Sequence, residues 1–246
     1  MGKYSEGLNR KIRDFYKQTG SIEQTEKLCH ALLVSNTHKS DKNFLAQIHG
    51  EVCESLLECI IVDFILKHNL KGKWFYEKGL ILKDPYAKST SPYMTELDLT
   101  LFTPYKILTI ECKCYGGDKI LADKCTIKRK GKKSFDVYAQ HKKHYKVLIS
   151  NLSTYRYKNE TTANIAPLQI GYFNYSLGSI KDERTKEWRM KMPLLTYENI
   201  TKLLELYLDK PTCWNMDRVR KAVNMIAKDK NARKQKHLEY VKNLHH

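Results

Sequence analysis

The sequence predicts an α/β fold: a central mixed β-sheet flanked by helices, with helical additions at both ends. Three stretches carry that prediction. FLAQIHGEVCESLLECIIVDFILKHNL, residues 44–70, is apolar almost all round a long helix, the pattern of a helix buried on most sides. TELDLTLFTPYKILTIECKC, residues 95–114, reads as two β-prone runs joined at Thr103-Pro104-Tyr105-Lys106. VYAQHKKHYKVLISNL, residues 137–152, is a second helix, and a strand follows at 168–176.

The remaining elements fall into order around these three. Residues 4–34 predict two short helices broken at Thr19-Gly20, with Ser21 capping the second. Residues 35–43 are polar and loop-like. Acids are the exception on the 44–70 helix. At 100° per residue Glu51 and Glu58 lie about 20° apart and Glu54 about 60° from Glu51, so one acidic stripe runs along it. WFYEKGLIL, 74–82, is a strand, and DPYAKSTSP a loop. The basic stretch at 116–136 reads as a second hairpin. MPLLTYENITKLLELYLDK gives a strand and a helix capped at Thr196, and Met216–Leu244 is a basic helical stretch. No internal repeat or long linker appears. The chain divides into a helical extension (1–43), a core (44–210) and a basic helical tail (211–246).

Composition narrows the function classes. Of 246 residues 41% are hydrophobic and 11% aromatic, which supports a packed core and argues against global disorder. Forty-four Lys and Arg against 27 Asp and Glu give a net charge of +17. That excess favours polyanionic partners, nucleic acid before an anionic membrane surface. Seven cysteines, an odd count without regular spacing, argue against a secreted disulfide scaffold and for a reducing cytosol. No run approaches the roughly 18 apolar residues of a membrane span.

The 95–114 hairpin holds charges inside strands built for a core. Centring the turn on Thr103–Lys106 opposes Leu101 to Leu108, Leu99 to Ile110 and Leu97 to Cys112, all apolar. The other face then opposes Asp98 to Glu111 and Glu96 to Lys113. A shift of two residues would keep the same faces. Directly opposed residues place their Cβ atoms ~5 Å apart, and two carboxylates that close repel unless a cation joins them. Mg²⁺ answers that need, because it takes carboxylate oxygens and keeps several waters. Lys113, two residues from Glu111 on the same face, can orient or help deprotonate a metal-bound water, or stabilise charge developing on a phosphate. A solvated face with ordinary cross-strand ion pairs is the competing reading.

Asp98, twelve intervening residues and Glu111-Cys112-Lys113 resemble the PD-(D/E)XK nuclease superfamily. Within it the chain looks closest to the nuclease-related NERD group, with restriction-endonuclease-like and Holliday-junction-resolvase relatives behind. Gly50-Glu51, Tyr115-Gly116-Gly117 and Gln140 add to the likeness, which spans about residues 48–150. Leu97 replaces the proline that often precedes the first catalytic Asp. The resemblance implies a restriction-endonuclease-like core in which Asp98, Glu111, the Cys112 backbone carbonyl and Glu51 hold Mg²⁺, with Mn²⁺ able to substitute. It implies that Lys113 positions the attacking water and that Gln140 orients Lys113 or a phosphate. The implied activity is hydrolysis of DNA phosphodiester bonds, in the endonucleolytic mode. A Holliday-junction resolvase, an RNA endonuclease or a catalytically dead nucleic-acid-binding protein are the alternatives. A phage or mobile-element setting follows from the resemblance alone, and a homodimer is left open.

Other residues invite chemistry. Cys112, Cys114 and Cys125 suggest zinc, but alternation turns Cys112 and Cys114 to the apolar face, and no CxxC pair exists. They read as small buried hydrophobes, as do Cys53 and Cys59. His49 is either a metal ligand or a residue lining the helix. Glu54 and Glu58 are extra ligands or ion-pair partners. Lys124, Lys128, Arg129, Lys130, Lys132 and Lys133 cluster around Gly131 in a segment leaving the sheet after Lys113. That cluster is either a solvated loop or a set of sequence-independent phosphate contacts. Tyr138, His141, Lys142 and His144 read as mixed aromatic and basic surface beside it. The basic tail is either a second DNA contact or a solubilising helix.

Overall fold

A five-stranded mixed sheet stands between two groups of helices. In the computed structural model the described residues are 4–37, 41–86, 94–154, 168–212 and 215–227. Helices α1 (Tyr4–Thr19), α2 (Ile22–Ser35) and α3 (Lys42–Lys67) come first. Strands β1 (Phe75–Lys83), β2 (Met94–Phe102) and β3 (Ile107–Cys112) follow, then short β4 (Lys119–Ala122), β5 (Thr126–Lys128) and β6 (Phe135–Asp136). Helix α4 (Val137–Thr154) leads to β7 (Leu168–Phe173) and β8 (Ile180–Asp182). Then come α5 (Lys186–Lys191), β9 (Leu194–Leu195), α6 (Ile200–Leu208) and α7 (Met216–Ala227).

Local chemistry sets the helix starts. Ser21 caps α2 as predicted, its hydroxyl accepting from the Gln24 N–H at 3.2 Å. Helix α3 starts at Lys42, before the predicted 44, because Asp41 accepts from the N–H groups of Asn43 and Phe44 at 2.9 and 3.1 Å. Thr196 does not cap α6. It opens a preceding turn in which its N–H donates to the Asn199 side chain, and Asn199 is the N-cap residue.

The main sheet runs β1-β2-β3-β7-β9, antiparallel up to β3 and parallel from β3 onward. Its β2–β3 ladder pairs Leu99 with Ile110 and Leu101 with Leu108, as predicted. The ladder stops at Leu99, and Asp98 does not continue it: the Cys112 N–H donates to the Asp98 carboxylate at 2.8 Å instead. The face also changes there. Leu99 and Leu101 pack under α3, with α1, α2 and α6 completing that core. Leu97 packs with Leu80, Leu82 and Phe102 under α4 and α7. Strict alternation would put Leu97 with Leu99. Gly79, opposite this step on β1, has φ +58, and a Cβ there would stand 3.0 Å from Glu96 Oε1. Both strands therefore reverse faces where Asp98 sits.

The stretch at 116–136 is more than a hairpin. It forms three strands of a second mixed sheet, ordered β6-β5-β4-β8, with β8 parallel to β4. The two sheets join at a close seam. Gly178 has φ +102, and a Cβ on it would fall 2.6 Å from the Gly117 backbone, so only glycine fits. Beside it the Gly117 N–H donates to Leu177 O and the Lys119 N–H to Ser179 O. This seam holds the second sheet against the exit of β3. Helix α7 buries Val219, Val223 and Ile226 in the α4 side of the core. Among the described residues no helix is long and apolar enough to cross a membrane.

Candidate functional site

The β3 exit gathers the charges that the hairpin introduced. Glu111 is 1% exposed and bonds the Lys113 ammonium through Oε1. Asp98 is partly buried, with its carboxylate on the Cys112 N–H. Burial, and then the charge of Glu111, push the Asp98 carboxyl well above the usual range, against the pull of Lys113. Burial would raise Glu111 too, but His141, His144 and Lys113 hold it well below that range. One acid is thus driven toward its neutral form beside another held ionised, as expected for close carboxylates in low dielectric. Burial would lower Lys113, yet the two acids raise it, so it stands as an ammonium.

Helix α3 brings its acids past this pair at different heights. Glu51 accepts from Gln47 Nε2 at 3.0 Å, and burial raises its carboxyl. Glu54 is pushed up to about 7 by burial first, then by the Cys53 thiol and the charges of Glu96 and Glu51, against Lys78. Its charge is also the α3 charge that reaches Asp98. Glu58 is tied to Lys78 at 3.3 Å, Arg13 at 3.5 Å and the Tyr76 hydroxyl at 3.1 Å. The acidic stripe of the sequence thus splits into Glu54, facing the site, and Glu58, pinning α1 and β1.

Helix α4 supplies the other wall. Gln140 lies on it with its buried Oε1 without a hydrogen-bond partner. His141 and His144, expected on a mixed surface, are buried at 1% and 7% exposure, because α4 packs this face onto β3. Their Nδ1 atoms stand 3.6 and 3.2 Å from Glu111 Oε2. All three atoms are buried without hydrogen-bond geometry to a partner, and they lie within 4.8 Å of one another. This group could hold a metal. The sequence signal was present: His141 and His144 are spaced i, i+3, one side of a helix.

The basic residues sit on the second sheet. Lys124, Lys128, Lys130, Lys132 and Lys133 are exposed around the β4–β5 and β5–β6 turns, and Lys142 is exposed on α4. Arg129 lies over the Tyr115 ring at 4.1 Å, Tyr115 packs edge-on against Phe135, and Lys113 lies over Phe135 at 5.6 Å. Two aromatic rings therefore connect the basic hairpin to Lys113. The Cys112, Cys114 and Cys125 trio is not brought together. Cys125 packs within the second sheet's apolar cluster, whereas Cys112 and Cys114 neighbour the Cys53 thiol on α3. His49 is half-buried beside Cys114 and the start of the seam, with burial lowering its imidazole.

Residues 55–169 match the family model of NERD, the nuclease-related domain. The matched segment starts inside α3 and ends in β7, so it includes Asp98, Glu111, Lys113, Gln140, both histidines and the basic hairpin. Glu51 and Glu54 precede it on the same helix. The match suggests a nuclease-related function. No curated protein and no solved structure matches the chain.

Proposed function

We propose that this chain is a metal-dependent DNA endonuclease with a PD-(D/E)XK site built on Asp98, Glu111 and Lys113. The carrying observation is the meeting of charges at the β3 exit: Glu111 bonds the Lys113 ammonium, and the Cys112 N–H between those two residues donates to Asp98 at 2.8 Å, where burial and the charge of Glu111 drive Asp98 toward neutrality. Hard oxygen donors penalised in this way fit a divalent cation, which would let both ionise. Asp98 and Glu111 would hold Mg²⁺ or Mn²⁺, with the Cys112 carbonyl and an α3 carboxylate, Glu51 or Glu54, completing the set. Such an ion supplies Lewis-acid activation of water and neutralises charge on a scissile phosphate.

The chain's own groups do the rest. Lys113, an ammonium raised by both acids, would orient water and offset phosphate charge in the transition state. Gln140 would turn its amide toward Lys113 or a phosphate. Lys124, Lys128, Arg129, Lys130, Lys132, Lys133 and Lys142 would grip the phosphate backbone without reading sequence.

The test offers covalently closed plasmid, linear duplex, single strands, four-way junctions and RNA to the purified chain with Mg²⁺, Mn²⁺ or EDTA. Nicked or linearised plasmid with either metal, and none in EDTA, is the expected outcome; cutting a closed circle is endonucleolytic by definition. Cleavage of junctions alone would identify a resolvase, and of RNA alone a ribonuclease. Binding in EDTA with no cleavage under any metal would leave a nucleic-acid-binding protein.

A further inference from the structure

Glu111 points its two oxygens at different chemistries. Oε1 meets the Lys113 ammonium, and Oε2 meets two imidazoles. The His141 tautomer is set by its other nitrogen. Nε2 lies 2.9 Å from both the Thr109 carbonyl oxygen, which only accepts, and the Thr109 hydroxyl, which can accept as well, so Nε2 carries the proton. In the neutral ring Nδ1 is then a bare lone pair, 3.6 Å from a carboxylate oxygen. Two acceptors facing each other inside the protein repel unless something positive, a proton on the ring or a metal cation, lies between them. His144 Nδ1 comes to the same oxygen at 3.2 Å without hydrogen-bond geometry. With arms of about 2.0–2.1 Å, tetrahedral ligands stand about 3.4 Å apart, and these separations bracket that edge. An imidazole whose second nitrogen donates to a backbone carbonyl is also the usual posture of a metal-ligating histidine.

We propose that Glu111, His141 and His144 form a binding site for a late first-row transition dication such as Zn²⁺, separate in ligand chemistry from the oxygen-only pair Asp98 and Glu111. Two imidazole nitrogens favour such ions over Mg²⁺. Residues Glu111 on β3 and His141 and His144 on α4 become one unit, so the ion staples α4 to the sheet. The site stands without the nuclease reading, since its occupancy is measured with no nucleic acid present.

The test titrates metal-free full-length protein with Zn²⁺ in excess Mg²⁺ by calorimetry, and loads a parallel sample with Co²⁺ for visible spectroscopy. The wild type binds one Zn²⁺ per chain, and the Co²⁺ form absorbs in the visible without a thiolate charge-transfer band. His141→Gln and His144→Gln each weaken Zn²⁺ binding at least about tenfold. Cys53→Ser, which removes the central thiol of the nearby cysteine group, leaves it unchanged. No Zn²⁺ uptake by the wild type would overturn the proposal without recourse to any variant. So would binding that survives both histidine substitutions, or a thiolate band that disappears with Cys53→Ser. DNA cleavage plays no part in the readout, so failure of the nuclease reading and failure of this site are separate results.

Discussion

Asp98 and Glu111 are neighbours with opposite fates, and the cause is what each one touches. Asp98 has one backbone N–H and a nearby negative charge; Glu111 has an ammonium and two imidazoles. Glu54 belongs to the same field. Its carboxyl, raised from 4.5 to about 7, keeps a proton in the folded chain that the unfolded chain has already released. Its contribution to stability is therefore full at low pH and is lost as pH rises through 4.5 to about 7. Glu54→Gln removes that dependence, so the melting temperature of the variant falls less between pH 5 and 8 than that of the wild type. Parallel melting curves for the two would contradict the assignment of Glu54 to the buried field. Strand alternation made Glu111 and Lys113 legible in the sequence as neighbours on one face, but it paired Asp98 with Glu111, and the structure instead ends the ladder at Leu99 and sets Asp98 on the Cys112 N–H. Alternation did not distinguish Glu51 from Glu54, because the rotation of α3 over the sheet is set by packing against α1, α2 and β2, which no local pattern encodes.

The β5–β6 hairpin and α7 act as whole elements. Replacing Lys128, Lys130, Lys132 and Lys133 with Gln weakens binding to all DNA sequences alike. It also shrinks the salt dependence, by about one slope unit for each phosphate no longer neutralised. An unchanged slope would make the hairpin a solvated surface. Helix α7 lies in the basic tail of the sequence, yet its apolar side fills the space between α4 and β1. Ile226→Ala therefore lowers unfolding free energy by about 2–5 kcal/mol in urea denaturation, and a change near zero would place α7 outside the cooperative unit. The β2–β3 register was legible because every apolar residue had an apolar partner. The reversal at Gly79 was not, since alternation presumes one face for the whole strand and a single positive φ breaks that presumption. The second sheet was hidden for another reason: β4, β5 and β6 are too short to show a period.

At the scale of the molecule, two mixed sheets meet at the Gly117–Gly178 seam, and the acids, histidines and basic hairpin gather where β3 leaves the first sheet for the second. Lys128, Lys130, Lys132 and Lys133 are exposed on the second sheet, and Glu111 is buried against α4 where β3 ends. The most direct measurement compares cleavage and binding of the same closed-circular DNA, with Mg²⁺, by wild type, Lys113→Ala and Asp98→Asn. Lys113→Ala is expected to lower the cleavage rate at least about 10²-fold while its DNA affinity stays within a few-fold of wild type. Asp98→Asn is expected to lose activity together with its response to Mg²⁺. Cleavage at the wild-type rate by either variant would contradict a site built on these residues.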